Sequence, residues 1–297
     1  GADWIDDYYQ NHRPAGESFV AIYVGCNKGM DAVNALRMGS VDPSIDKFKW
    51  RETFLGNGVN VKPGVCKQEL SEQYALPTSM NQQHPAVVHC LEAMPHTAQH
   101  LQQTAARLGW KDRFIVQNAA FSSADGVTSF SVSEVGNEKT AICNPGTPGC
   151  QEVPLLRLDT YLRQHQNVTG PKEMIDFLSI DVEGYDAEVL LGSEETLQRV
   201  RYLEFEYNWK ALWKQHPLKE VIHKMSQDGF VCYWPGVGGH IWRITDCWLD
   251  HYGLTFWPNV ACVHPTRHPV VARRMEQMFL ETLAQGSSVK YTERVIA

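Results

Sequence analysis

Two patterns alternate along the chain: short unbroken apolar runs, and stretches whose apolar residues recur three or four positions apart. The run over residues 18–24 stops at Gly25, as a strand buried on both faces would. Residues 28–38 then place Met30, Val33, Ala35, Leu36 and Met38 on one helical face. Further apolar runs at 86–91, 113–117, 175–180 and 201–206 predict buried strands, and 126–132 alternates like a half-exposed one. Pro95 opens a helix that ends near Gly109. Shorter helices are predicted at 158–162 and 187–191. A helix at 217–227, strands at 230–234, 240–245 and 254–263, and a C-terminal helix over 269–283 follow. Residues 39–84, with Pro43, Pro63, Pro77 and scattered Gly, read as an irregular insertion or lid.

Strands alternating with helices predict an α/β fold, a mainly parallel sheet with helices on both faces. No internal repeat or linker divides the chain. The expectation is one domain over 1–297, with its core at 18–210, the insertion at 39–84, and 211–297 completing the sheet and the acceptor side.

Composition narrows the function. At 297 residues and 43% hydrophobic, the chain is long and apolar enough to bury a large core. Its 27 Lys and Arg against 34 Asp and Glu disfavour a nucleic-acid partner held through phosphates. No stretch approaches the roughly 20 apolar residues of a membrane span. Gly1-Ala2-Asp3-Trp4 has neither Met nor a signal-type run, so the expectation is a soluble chain whose start is compatible with trimming. Eight cysteines, with no Cys-x-x-Cys pair, point to disulfides more than to zinc. Cys143 and Cys150 bracket a loop with two Pro and two Gly and are the best local pair; a bridge within Cys232, Cys247 and Cys262 is also expected. With the sequon Asn167-Val168-Thr169, this leans towards the secretory lumen or secretion over the cytoplasm.

Ligands of an open parallel sheet bind at the carboxyl ends of its strands. The residues there are Gly25-Cys26-Asn27-Lys28-Gly29, Glu92, Asn118, Asp181 with Glu183, and Glu206-Tyr207-Asn208. A glycine turn admits a ligand to the backbone, and an acidic residue ending the second strand can hold both hydroxyls of a ribose. That logic serves nicotinamide dinucleotides and S-adenosylmethionine alike. The turn lacks the second glycine of Gly-x-Gly-x-x-Gly, having Asn27 there, so a ligand without pyrophosphate fits better.

Five segments in order carry a family resemblance: Val24-Gly25-Cys26-Asn27-Lys28-Gly29, Leu91-Glu92-Ala93-Met94-Pro95, Gln117-Asn118-Ala119-Ala120, residues 157–162, and Asp176 through Gly184 with its Ile-Asp-Val-Glu-Gly. Across residues 18–210 the chain resembles the FkbM-type class I methyltransferases. Tyr23 stands where an acidic residue often precedes the turn, and Ser179 where a Lys is common. The resemblance implies a Rossmann-like seven-stranded sheet, S-adenosylmethionine as donor, and O-methylation of a hydroxyl on a sugar, glycan or secondary metabolite. It also implies that Gly25 and Asn27 line the methionine part, that Glu92 with Ala93 holds the ribose, that Asn118 and Ala119 flank the adenine, and that Asp181 lies near the sulfonium and the acceptor. Asp181, Glu183 and Glu206 are the carboxylates available as catalytic groups.

Plainer readings stand beside these. Glu183 has an alternative role as a carboxylate at a helix start. Glu204 shares a strand face with Glu206 but lies further from the carboxyl end, and is read as structural. Lys28 is read as covering the surface at the helix start. His96 and His100 lie four apart, but without a third ligand they read as a solvated helix face rather than a metal pair. Six of nine tryptophans fall within 209–257, with Tyr207, Tyr233, Tyr252 and Phe256, giving either core or an aromatic acceptor wall. The alternative function is an inactive methyltransferase-like module that binds carbohydrate.

Overall fold

The computed structural model describes residues 4–5, 8–9, 12–14, 16–56, 76, 84–137, 142–144, 146–255 and 259–286. Pro63, Pro77 and most of the 39–84 insertion, Cys66, Phe256 and Trp257 lie outside them.

The first strand, β1 (Phe19–Val24), is buried on both faces, which its unbroken apolar run demands. Then come α1 (Met30–Ser40), α2 (Lys47–Leu55), β2 (Ala86–Glu92), α3 (Pro95–Arg107) and β3 (Phe114–Asn118). An excursion follows, made of β4 (Ala120–Phe121), β5 (Gly126–Ser131) and β6 (Cys150–Leu156), before α4 (Leu158–Gln164) and β7 (Ile175–Ile180). The chain continues through α5 (Asp186–Leu191), α6 (Glu194–Leu197), β8 (Val200–Glu206), α7 (Leu218–Gln227), β9 (Val231–Pro235), β10 (Ile241–Arg243), β11 (Asn259–Val263) and α8 (Pro269–Gly286).

The main sheet has the order β10-β9-β11-β8-β7-β1-β2-β3, and β4, β6 and β5 form a smaller one. From β3 across to β8 every pairing is parallel, whereas β11 runs antiparallel to both β8 and β9. Among the described residues the sheet therefore has eight strands where seven were expected. The extra edge strand forms because Gly238 and Gly239, both at positive φ, turn the chain back so that Trp242 pairs with Trp234. Thr282 of α8 then accepts the Ile241 N–H at 3.1 Å. Residues 47–55, expected to be irregular, form α2. Asp46 caps it by accepting the Lys49 N–H at 2.8 Å, and Trp50 and Phe54 are fully buried.

Strand parity divides the core in two. Val20, Ile22 and Val24 of β1, with Leu203 and Phe205 of β8, face α4, α5 and α7. Phe19 and Ala21, with Tyr202, face α1, α3, α8 and the amino-terminal residues Trp4 and Tyr9. No helix among the described residues is long and apolar enough to cross a membrane.

Three disulfides join described cysteines. Cys143–Cys150 is the loop pair expected from sequence, and Cys232–Cys262 is a bridge within the expected trio, linking paired residues of β9 and β11. The third, Cys26–Cys90, ties the turn after β1 to the middle of β2 and encloses a 64-residue separation. Closing so long a loop constrains the unfolded chain most. Loss of Cys26–Cys90 in a Cys90→Ser variant should cost about 2–4 kcal/mol and lower Tm by roughly 3–6 °C. Loss of the seven-residue Cys143–Cys150 link should cost less. Scanning calorimetry of the two variants checks the ranking.

Candidate active site

Beyond β1 the chain goes to β2 and β3 on one side, and it later returns through β7 and β8 on the other. The β1–β7 boundary is thus the switch point at which open α/β sheets bind ligands. A cleft of about 930 Å³ opens there.

Its first wall is the turn after β1. Gly25, Asn27 and Gly29 all take positive φ, at 87°, 48° and 73°. Asn27 holds the left-handed conformation that a glycine would otherwise supply, which Asn tolerates better than other side chains. The Gly25 and Cys26 N–H groups donate to Leu91 O at 2.9 and 3.1 Å, and the Asp181 N–H to Val24 O at 2.9 Å. The turn is stitched to both neighbouring strands.

Glu92 is the second element. It is 9% exposed, and its two oxygens accept the Asn27 N–H at 2.7 Å and the Met94 N–H at 2.8 Å. Burial raises its pKa; the Met94 and Asn27 N–H groups and the Lys28 charge oppose that rise. A carboxylate has about four lone-pair sites, so both oxygens keep acceptor capacity towards the cleft. Lys28, read as a surface residue, is buried and lines the cleft; its backbone oxygen accepts the Trp50 indole N–H at 2.9 Å. The α2 helix, which the sequence pattern did not reveal, is what covers it.

Of the expected donor-side residues, Gly25, Asn27, Glu92, Ala93, Ala119 and Asp181 line the cleft and Asn118 does not. Its side-chain amide donates to Glu92 O and Ala93 O, both at 2.9 Å, and so fixes the backbone beneath the carboxylate. Thr128, Phe130 and Leu155 of the β5–β6 hairpin also line the cleft. The alternation over 126–132 predicts the strand that carries Thr128 and Phe130, but not its place at the cleft, because a hairpin inserted after β3 has no counterpart in the strand–helix alternation.

The three expected catalytic carboxylates all line the cleft. Glu183, at φ 57°, does not sit in the first turn of α5 but pairs with Lys210. Glu206 accepts from the Asn208 side-chain amide. Asp186 was not singled out from sequence, yet it organises the group: fully buried, it accepts the Gly184 N–H at 3.1 Å and the Glu206 N–H at 3.4 Å. Its pKa is pushed well up, first by burial and then by the charges of Asp181 and Glu206. Glu204 also lines the cleft, and accepts from the Tyr202 hydroxyl. With Asp31, six carboxylates face two lysines among the described lining residues, Lys28 and Lys210. Such a cleft favours a cationic ligand and disfavours an anionic one.

Among the described residues no tryptophan lines the cleft, and Trp213, Trp234 and Trp248 pack with Tyr207 and Tyr252 in the core cluster that holds Leu203 and Phe205 of β8. His100 is likewise no solvated partner of the exposed His96; its Nε2 bonds Phe54 O at 2.7 Å in the core.

Comparison with known proteins shows the family. The family model described as "Methyltransferase FkbM domain" matches residues 70–232. The 2-O-methyltransferase NoeI of Sinorhizobium fredii is 32% identical over 71 residues, 23% of this chain and 29% of that protein. The chain thus matches less than a third of that curated relative's length. Among solved structures, the human methyltransferase 10 domain containing protein aligns with a TM-score of 0.35 at 9% identity, over 89% of this chain and 80% of that one. The delta-N METTL16 MTase domain gives 0.34 at 8%, over the same shares.

Proposed function

The chain belongs to the FkbM methyltransferase family, and from that premise we propose that it moves a methyl group from S-adenosylmethionine to a hydroxyl of a sugar, glycan or secondary metabolite. The observation that carries the reading is the Glu92 carboxylate, held by two backbone N–H groups with acceptor capacity left towards a cleft rich in carboxylates. The donor, when bound, supplies an electrophilic methyl on a positively charged sulfur. Gly25 and Asn27 would receive its methionine part, Glu92 with Ala93 its ribose, and Ala119 its adenine, with Asn118 bracing the Glu92–Ala93 backbone. Asp181 would lie by the sulfonium, where its charge favours the cation.

The acceptor hydroxyl must give up its proton as the new bond forms. Asp181, Glu183 and Glu206 are the bases within the cleft. Asp186, whose own pKa is raised by burial and by the charges of Asp181 and Glu206, braces the Gly184 and Glu206 backbone beside them. Positioning carries much of such an in-line transfer. Support for O-methylation comes from the 2-O-methyltransferase among the relatives.

Wild-type protein should bind S-adenosylhomocysteine with measurable heat. Asp181→Asn should keep that affinity within a few-fold while transfer to a hydroxyl acceptor falls by about 100-fold. Absence of any heat with the wild type would sink the reading.

The disulfides accord with an oxidising compartment. We place the protein in the secretory lumen or outside the cell, where the exposed Asn167 would be open to glycosylation.

A further inference from the structure

The cleft does not stop at the carboxyl edge of the sheet. It continues down the β1–β7–β8 face alongside Ile5, reaching Phe177, Phe19 and Tyr9. Phe19 is the first residue of β1, so the inner lobe runs most of the length of that strand. At about 930 Å³ the whole space lies near the top of the range of ~300–1,000 Å³ that holds one small ligand, and it suits a donor and an acceptor side by side.

The lobe is polar at one end and apolar at the other. Tyr23 of β1 pairs in register with Ser179 of β7, and Ser179 with Glu204 of β8, so these side chains form one row across the sheet. Ser179 precedes Asp181 by two residues on the same strand face, which sets the row next to the carboxylate assigned to the sulfonium. One further step inward the surface becomes aromatic. Phe177 packs at 5.5 Å from Tyr23, and Tyr9 meets Phe19 edge-on at 5.3 Å. Glu204 is braced rather than loose: the Trp4 indole N–H donates to the Tyr202 hydroxyl at 3.0 Å, and that hydroxyl donates to Glu204. Trp4 and the carboxylate on the lobe's floor are therefore joined through Tyr202.

We infer that this lobe is the acceptor site and that it takes a neutral hydroxyl compound with an aryl or alkyl body, whose apolar part lies along Phe177 and Phe19 and whose polar end meets Ser179 and Glu204. This rests on the methyltransferase reading of the same cleft. Apolar walls reward removal of an apolar body from water, whereas a free sugar would trade its hydration for few partners there. The carboxylates beside the row repel an acceptor bearing phosphate or carboxylate.

The test uses full-length protein saturated with S-adenosylhomocysteine and four probes: 4-nitrophenyl β-glucoside, octyl β-glucoside, glucose and glucose 6-phosphate. Calorimetry should show the aryl and alkyl glucosides binding at least about tenfold tighter than glucose, with no heat from the phosphate. Ser179→Phe, which fills the lobe, should weaken the aryl glucoside by about tenfold or more while S-adenosylhomocysteine affinity stays within about twofold. Glu204→Gln, close in size, should weaken it several-fold and serves if Ser179→Phe fails to fold. Equal binding of glucose and its glycosides, no binding of any probe, or indifference of aryl-glucoside binding to both substitutions overturns the assignment of the lobe. Failure of wild-type protein to bind S-adenosylhomocysteine would instead overturn the donor-site reading beneath it.

Discussion

Glu92→Gln should weaken S-adenosylhomocysteine binding by about 100-fold, equivalent to ~2.7 kcal/mol. The substitution keeps the size of the side chain and removes the charge. A glutamine also cannot accept from both backbone donors: its carbonyl oxygen can take the Asn27 or the Met94 N–H, and its NH2 group then faces the other. The turn after β1 and the start of α3 are thereby loosened together, just where a ribose would be held.

Stability should respond less than affinity, by about 1–2 kcal/mol, because burial already penalises the ionised side chain in the folded protein. The raised pKa fixes the sign of the pH dependence. Folding favours the protonated form, so the contribution of this group to stability is full below its unfolded pKa and is lost as pH rises through the folded one. Holding ribose hydroxyls needs the ionised form, so donor affinity should fall as pH drops through the same raised pKa. Affinity should therefore begin to fall above the ordinary glutamate value of about 4.3. Calorimetric titrations across that window, beside melting curves, should show the two quantities moving in opposite directions in the wild type and uncoupled in Glu92→Gln.

Much of this site was legible in the sequence because the carboxyl end of a buried parallel strand is marked by where its apolar run stops. Gly25, Glu92 and Asp181 each follow such a run, and the fold brings all three to one cleft. What escaped the pattern escaped for definable reasons. Lys28 reads as a solvated cation unless one knows that α2 covers it, and α2 has too little apolar periodicity to announce itself. Glu204 was set aside for its distance from the strand end; strand parity put it on the correct face, but the cleft reaches past it to Phe177 and Tyr9, a depth that no single strand reveals. Asp186 is a third kind of case. Its importance lies in being surrounded, by Asp181 from β7 and Glu206 from β8, and a juxtaposition of two strand ends cannot be read from either alone. The tryptophan run left core and acceptor wall both open for the same reason: density along the chain says nothing about which face of the sheet the rings occupy.

Gly25→Ala should cost at least about 3 kcal/mol and abolish measurable donor binding. Two penalties coincide at this position. The residue sits at φ 87°, which an L-side chain resists by roughly 1–2 kcal/mol. A methyl group there would also lie 1.8 Å from the Asp181 carbonyl oxygen, a backbone atom that cannot swing aside. That carbonyl belongs to the residue whose N–H holds Val24 at 2.9 Å, so relief requires parting β1 from β7 at the point where the sheet changes direction. The turn and Asp181, the two walls of the donor end, would then no longer face one another.

Gly109→Ala separates the two penalties. Gly109 also has positive φ, 73°, yet a methyl group there meets nothing within 4 Å. Its cost should be the backbone strain alone, about 1–2 kcal/mol, with S-adenosylhomocysteine affinity unchanged. Urea unfolding of both variants, paired with binding titrations, measures the difference. If Gly25→Ala were no more destabilised than Gly109→Ala and still bound the ligand, the close approach of β1 and β7 would not be what shapes the site.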